Sequence, residues 1–248
     1  MIRVTVWNEF LHERKDSDTK AVYPDGIHAV IASFLREAGH DVKTATLDMP
    51  EHGLTAEVLE KTDVLIWWGH AAHDKVSDAV VSRVKDRVFE GMGLIVLHSG
   101  HASKIFQTLM GTDTWNLRWY DNGGTYERIW VIDKSHRIAQ GLDDCFIIPL
   151  DETYGERFGI PEPDQLVFIT WFPGGEVLRS GCCFTRGAGK IFYFQPGHET
   201  FPIYYQSEVQ TVIKNAVEWA CPVSKDKVTY TTGQVEPMEK IDFGREGL

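Results

Sequence analysis

An unbroken apolar run, Leu94 to Leu97, leads from Gly93 into His98-Ser99-Gly100-His101-Ala102-Ser103 and constrains the fold more than any other stretch. Four apolar residues in a row, with no alternation, suit a strand covered on both faces, as in a parallel sheet between layers of helices. Lys104 to Met110 reads as the helix that follows. Such strand-to-helix corners lie at the carboxyl edge of a parallel sheet, the place where ligands bind. Gly100 eases the turn, and His98, at the corner, is the first candidate for chemistry. A histidine there serves equally well as a hydrogen-bonded structural residue, so the surrounding segments must decide.

The rest of the chain repeats that rhythm. Ile2 to Trp7 is read as the first strand, followed by Asn8 to Glu13 over the sheet edge and a polar loop, Arg14 to Lys20. Asp25 is the expected cap of a helix from Ile27 to Ala38, which Gly39 ends. Val42 to Thr46 and Asp63 to Trp68 are the next strands, separated by a short helix that Thr55 opens. Val76 to Glu90 is an amphipathic helix closed by Gly91. This β-α alternation predicts a three-layer, doubly wound, mostly parallel α/β sheet. After Met110 five more strands are read, at Tyr126 to Ile132, Cys145 to Pro149, Gln165 to Trp171, Gly181 to Arg186 and Lys190 to Gln195. Gly187-Ala188-Gly189 is a hairpin between the last two, and Ser207 to Cys221 is a closing helix. One domain is expected over residues 1–221. The tail 222–248 has apolar punctuation but no core of its own, so it should dock on its own domain or on a neighbour, which predicts a homo-oligomer.

A net charge of −11 over 248 residues lacks the basic surface that nucleic acid or an anionic membrane requires. No run of 18 apolar residues occurs, and the N-terminus has no signal-peptide layout, so a cytoplasmic protein is expected. Cys145, Cys182, Cys183 and Cys221 lack zinc or redox spacing and are read as reduced thiols. Cys182 and Cys183 should alternate across their strand, so that at most one faces inward.

Four segments then bring chemistry to one sheet edge: Gly69-His70-Ala-Ala-His73, His98-Ser-Gly-His101, Asp151-Glu152-Thr-Tyr154 and Gly197-His198-Glu199. Imidazoles with a carboxylate are the ligand set of an open divalent-metal site. A subset of His70, His98, Glu152 and His198 is expected to hold zinc, preferred over magnesium because nitrogen donors dominate. His12 and His28 border the same crevice as reserves. Asp151 and Tyr154 are candidates for proton transfer or for orienting a ligand, beside His98 and Glu152 as catalytic groups. The same set serves equally as a metal-free acid–base cluster. His73 and His101 come three residues after stronger candidates, His40 and His52 are read as surface residues, and Trp67 and Trp68 as core or pocket wall.

A hydrolase elbow of the type G-x-S-x-G fails here, because His98 takes the corner and Ser99 comes one residue later. Leu97-His98-Ser99-Gly100-His101 resembles instead the elbow of class I glutamine amidotransferases, with His98 where their cysteine stands. Phe194-Gln195-Pro196 similarly resembles a segment in which that superfamily carries its histidine. Together with Ser135-His136-Arg-Ile-Ala-Gln-Gly-Leu142, Asp151-Glu152-Thr-Tyr154, Gly189 to His198 and the N-terminal Trp7 to Glu13, the chain resembles the ThuA-like, trehalose-utilisation family over about residues 1–221. The resemblance implies a flavodoxin-like, class I glutamine amidotransferase-like fold without thiol chemistry. It also implies a small-molecule sugar substrate, a disaccharide or glycoside oxidised to a 3-keto form, handled by metal- or His/Glu-assisted acid–base chemistry as a hydrolase, lyase or isomerase. The competing expectation is a non-catalytic sugar-binding or regulatory module on the same fold.

Overall fold

The computed structural model describes residues 1–224 together with Gly233 and Glu239, so most of the tail predicted to dock lies outside the described residues. The strands in chain order are β1 (Arg3–Asn8), β2 (Asp41–Thr46), β3 (Val64–Trp68), β4 (Gly93–Leu97), β5 (Arg118–Val131), β6 (Cys145–Gly155), β7 (Gln165–Trp171), β8 (Val177–Arg186) and β9 (Gly189–Phe194). The α-helices are α1 (His12–Lys15), α2 (Ser17–Val22), α3 (Ile27–Glu37), α4 (Ala56–Glu60), α5 (Asp78–Phe89), α6 (Lys104–Met110) and α7 (Ser207–Ala220).

All nine described strands form one sheet in the order β2-β1-β3-β4-β9-β8-β7-β5-β6. From β2 to β9 every pairing is parallel, and from β9 to β6 every pairing is antiparallel. Only β8 and β5 run against the other strands, so the sheet is mixed though mostly of one direction. That is the mostly parallel sheet expected, with its parallel pairings confined to the first half. The second half is built from hairpins, which need no helical crossover.

Side chains of the central strands alternate between two cores, as a period of two demands. Ile95 and Leu97 join Val4, Val6 and Ile66 under α3 and α7, whose buried Ile27, Ile31, Leu35, Val209, Ile213 and Val217 recur at helical spacing. Leu94 and Val96 join Trp7, Leu65 and Trp67 under α5 and α6. Both faces are covered, which corrects the reading of the cysteine pair: Cys183 is buried in one core and Cys182 in the other. Trp67 and Trp68 are buried as well. Gly93 lets α7 approach β4, since a Cβ there would meet the Ala220 backbone at 2.5 Å.

Capping residues set several helix starts. The Ser77, Ser103 and Thr55 hydroxyls accept from Val80, Phe106 and Val58 N–H groups, opening α5, α6 and α4. Asp25 does not cap α3. Gly26 holds the cap position, and Glu13 Oε1 reaches across to accept from Ile27 N at 3.1 Å. The polar stretch read as loop carries α1 and α2, because Asp16 accepts from Asp18 N and starts a second helical turn. β6 also runs past Pro149, where a strand end was expected. It is an edge strand, and an edge tolerates a residue without an N–H. Among the described residues no helix is long and apolar enough to cross a membrane.

Candidate functional site

The carboxyl ends of β1, β3, β4, β6 and β9 meet at one edge. β4 ends at His98, whose φ of +48° is a left-handed backbone rarely taken by a residue with a side chain. Its imidazole is fully buried. Nδ1 donates to the Gln195 carbonyl at 2.9 Å, which turns Nε2 towards Glu152 Oε2 at 3.3 Å and the Tyr154 hydroxyl at 3.5 Å. The Tyr154 ring stacks on His98, 5.0 Å between centroids, and its hydroxyl bonds Ser99 Oγ at 2.7 Å.

His70 follows β3 on a turn held from below. The Glu9 carboxylate accepts from the backbone N–H groups of His70, Ala71 and Ala72, at 3.0, 2.9 and 2.8 Å. On its other side, His70 Nδ1 lies 2.8 and 2.9 Å from the two Glu199 oxygens. His198 is fixed from its neighbours too. Asp151 accepts from the N–H groups of Gly197 and His198 at 3.0 and 3.2 Å, and His198 Nδ1 pairs with the Thr200 hydroxyl at 2.8 Å. Both histidines thus have Nδ1 engaged, leaving Nε2 for a ligand, the arrangement that orients metal-binding imidazoles. The rings of His70, His98 and His198 stand 6.0, 5.4 and 5.6 Å apart, pairwise edge-on.

Glu152 reaches this cluster because β6 carries a bulge. Thr125 pairs with Asp151 but Glu127 with Ile148, so two steps on β5 match three on β6. The extra residue reverses the facing of everything beyond it. Glu152 and Tyr154 consequently point into the site.

Burial and charge oppose each other here. Burial alone would lower His98, yet contact with Glu152 and the charge of Asp151 outweigh it and hold it up at about 8. Burial would raise Glu152, and His98, His198 and His70 bring it below its ordinary value instead. Burial raises Glu199, but His12 and His70 overcome that and keep it firmly ionised. His198 is lowered by burial, as are His73, to about 4, and His101, to about 3. Asp151 is pushed up to about 6, first by burial.

The donor atoms of His70, Glu152 and His198 all lie within 4.8 Å of one another, and so do those of His12, His70 and Glu199. The first trio fits a divalent cation: Glu152 Oε2 is buried without a directed hydrogen bond, and the donors are two nitrogens and a carboxylate. His98 stands beside that trio, paired with its carboxylate. His28 lies apart, bonded to Asn8 Nδ2 at 3.0 Å. Asp151 binds backbone N–H groups rather than a ring. His52, read as a surface residue, clasps Leu47 O and Ser77 N. A cavity of about 140 Å³ opens beside His70 and Glu152, lined also by the buried Ser99, Tyr154, His73 and His101, by Leu117, and by Trp115 and Trp119, which are exposed. Glu9 was missed as a site residue, and Glu199 was read only as part of the His198 segment, with no role of its own. The only hint in the sequence is that each carboxylate adjoins a strand-end segment.

No curated protein sequence matches the chain. Among solved structures, a ThuA-like protein of Parabacteroides merdae superposes with a TM-score of 0.64 at 16% identity, over 88% of this chain and 89% of that one. A ThuA-like protein of Bacteroides uniformis gives a TM-score of 0.64 at 14% identity, over 91% and 92%. A cytoplasmic protein of Salmonella typhimurium gives 0.61 at 14% identity, over 89% and 100%. These likenesses are of fold. Residues 3–220 match the family model described as trehalose utilisation, ThuA, and the chain belongs to that family.

Proposed function

We propose that this protein is a carbohydrate-active enzyme of the trehalose-utilisation type, acting on a 3-keto-disaccharide or glycoside by His/Glu acid–base chemistry with a divalent metal, zinc by donor type. The observation that carries the reading is the convergence of the His70, Glu152 and His198 donor atoms within 4.8 Å of one another, with His70 and Glu152 lining a cavity. Two nitrogens among three donors favour zinc over magnesium. A cation bound there would polarise the C3 ketone and stabilise the enolate formed next to it.

The residues supply the proton traffic. Glu152, held ionised by its histidines, accepts the proton from C2, and the electron pair left behind expels the glycosidic oxygen from C1. His98, with its proton at Nε2, returns one to that leaving oxygen. Addition of water to the C1–C2 double bond completes a net hydrolysis. Tyr154 and Ser99 extend the hydrogen-bonded chain from His98 to the cavity wall. His98 at the elbow supports an amidotransferase-like, flavodoxin-like ancestry with the thiol route closed, since burial raises the Cys182 thiol to about 12 and Cys183 as well.

Other parts of the reading have their own support. The cytoplasmic name of the Salmonella protein supports a cytoplasmic site of action. The charge of −11 supports a small-molecule partner over nucleic acid. Exposed Ile147 and Leu150 on the edge strand β6 support a homo-oligomer.

The test is elemental analysis of tag-free protein, followed by incubation with 3-keto-trehalose. A stoichiometric divalent metal and released glucose are expected in the parent, with both lost in Glu152→Gln and metal lost in His70→Ala. Sub-stoichiometric metal together with no released sugar would sink the reading. Tight sugar binding without turnover would identify the non-catalytic module instead.

A further inference from the structure

Trp115 and Trp119 are the two most exposed tryptophans among the described residues, at 56% and 64%, yet both line the same cavity as His70 and Glu152. Neither sits there by accident of a loose loop. His101 Nδ1 bonds the Thr114 carbonyl at 2.8 Å, the Thr114 hydroxyl bonds the His101 carbonyl, and Trp115 N donates to Asp113 Oδ1 at 3.1 Å. Asn116 is tied to Gly159 N at 2.7 Å through its carbonyl. The Trp115 ring meets His73 edge-on at 5.6 Å. Trp119 lies on β5 directly opposite Tyr154 of β6, and Leu117, two residues earlier, shares its side. The indoles are therefore held on the wall that carries the acid–base groups.

The cavity itself holds about 140 Å³, well under the ~300 Å³ where pockets for larger ligands begin. One sugar ring fills it. Any second ring must lie outward, and what lies outward is indole. An exposed aromatic face beside a polar floor suits a ligand with one C–H-rich face and a hydroxylated rim, which describes a pyranose.

The geometry points to a second sugar subsite on Trp115 and Trp119, which stacks the leaving ring of a disaccharide while its 3-keto ring occupies the cavity. This inference rests on the sugar-directed reading above. It makes the two tryptophans determinants of specificity for disaccharides over monosaccharides, without a part in proton transfer. The polar floor, continuous with the indoles, favours a sugar over a protein surface as the occupant.

Calorimetric titration of the intact protein with trehalose and with glucose, which lack the C3 ketone and so are not turned over, tests it, using Trp115→Ala, Trp119→Ala, Trp119→Phe and a Trp130→Ala control. Trp130 is also part-exposed, at 43%, but is absent from the cavity wall. The disaccharide-to-monosaccharide affinity ratio should fall about tenfold in each alanine variant, the scale of one aromatic stacking contact. Trp119→Phe should retain part of the ratio, and Trp130→Ala all of it. An unchanged ratio in both alanine variants, with the parent still binding sugar, overturns the subsite and leaves the sugar reading standing. No binding of either sugar by the parent overturns both. A change of sedimentation coefficient in the tryptophan variants, with the ratio intact, assigns the indoles to a protein contact and overturns the subsite.

Discussion

At the scale of single residues, His98 is the clearest case of two opposed forces. Burial disfavours its charge, but Glu152 at 3.3 Å and Asp151 favour it, and the balance stands at about 8 against an ordinary 6.5. A value raised on folding stabilises the fold most where the unfolded chain is also protonated. That stabilisation is complete below about pH 6.5 and is lost as pH rises through about 8. Its size is on the order of 2 kcal/mol. Urea melts of chelator-treated parent and His98→Gln at pH 6 and pH 9 should therefore show the parent's advantage shrinking by that order. An advantage equal at both pH values would contradict the pairing. The same residue was legible in the sequence, because a corner after an unbroken apolar run is a local feature. Glu9 was not, nor was the role of Glu199. Glu199 meets His70 across 129 positions, and nothing near either residue foretells it.

At the scale of elements, two irregularities aim the site. The bulge in β6 was hidden because Pro149 reads as a strand end, and only the edge position of that strand lets it continue. The turn after β9 is the other. Gly197 has φ +142°, and an added Cβ would overlap the Tyr204 hydroxyl and come within 3.3 Å of the His98 Cβ. Its N–H goes to Asp151, and its carbonyl accepts from Trp68 Nε1 at 3.1 Å. Gly197→Ala should then destabilise by about 1–3 kcal/mol and displace His198, so that metal content falls with it. Gly175→Ala, at φ +96° with nothing within 4 Å, carries the backbone strain alone and should lose less stability and no metal. Equal losses in both, read by thermal melts and elemental analysis, would count against the turn as a positioning element.

At the scale of the whole molecule, β9 joins the two halves of the sheet, pairing with β4 on one side and β8 on the other. Both cores cross that junction: Ile129 and Phe168 belong to the same continuous core as Val4 and Ile66, and Leu178 and Phe184 to the same one as Trp7 and Leu65. Neither half has a core to itself. Urea unfolding should accordingly be one transition, with circular dichroism and tryptophan fluorescence coinciding. Two separated transitions would divide the chain into domains and contradict the single unit expected over residues 1–221.

What the sequence determined by itself is what local periodicity encodes. The positions of β1 to β4, α3, α5, α6 and α7, the hairpin at Gly187 and the corner at His98 follow from apolar spacing and turn residues within a few positions. Only the tertiary structure decided that β9 lies against β4, that the far half of the sheet turns antiparallel, and that His70, Glu152 and His198 converge while His98 stands beside them. Strand pairing and the burial of acids depend on partners distant in the chain. Their free energy comes from contacts that no local window contains.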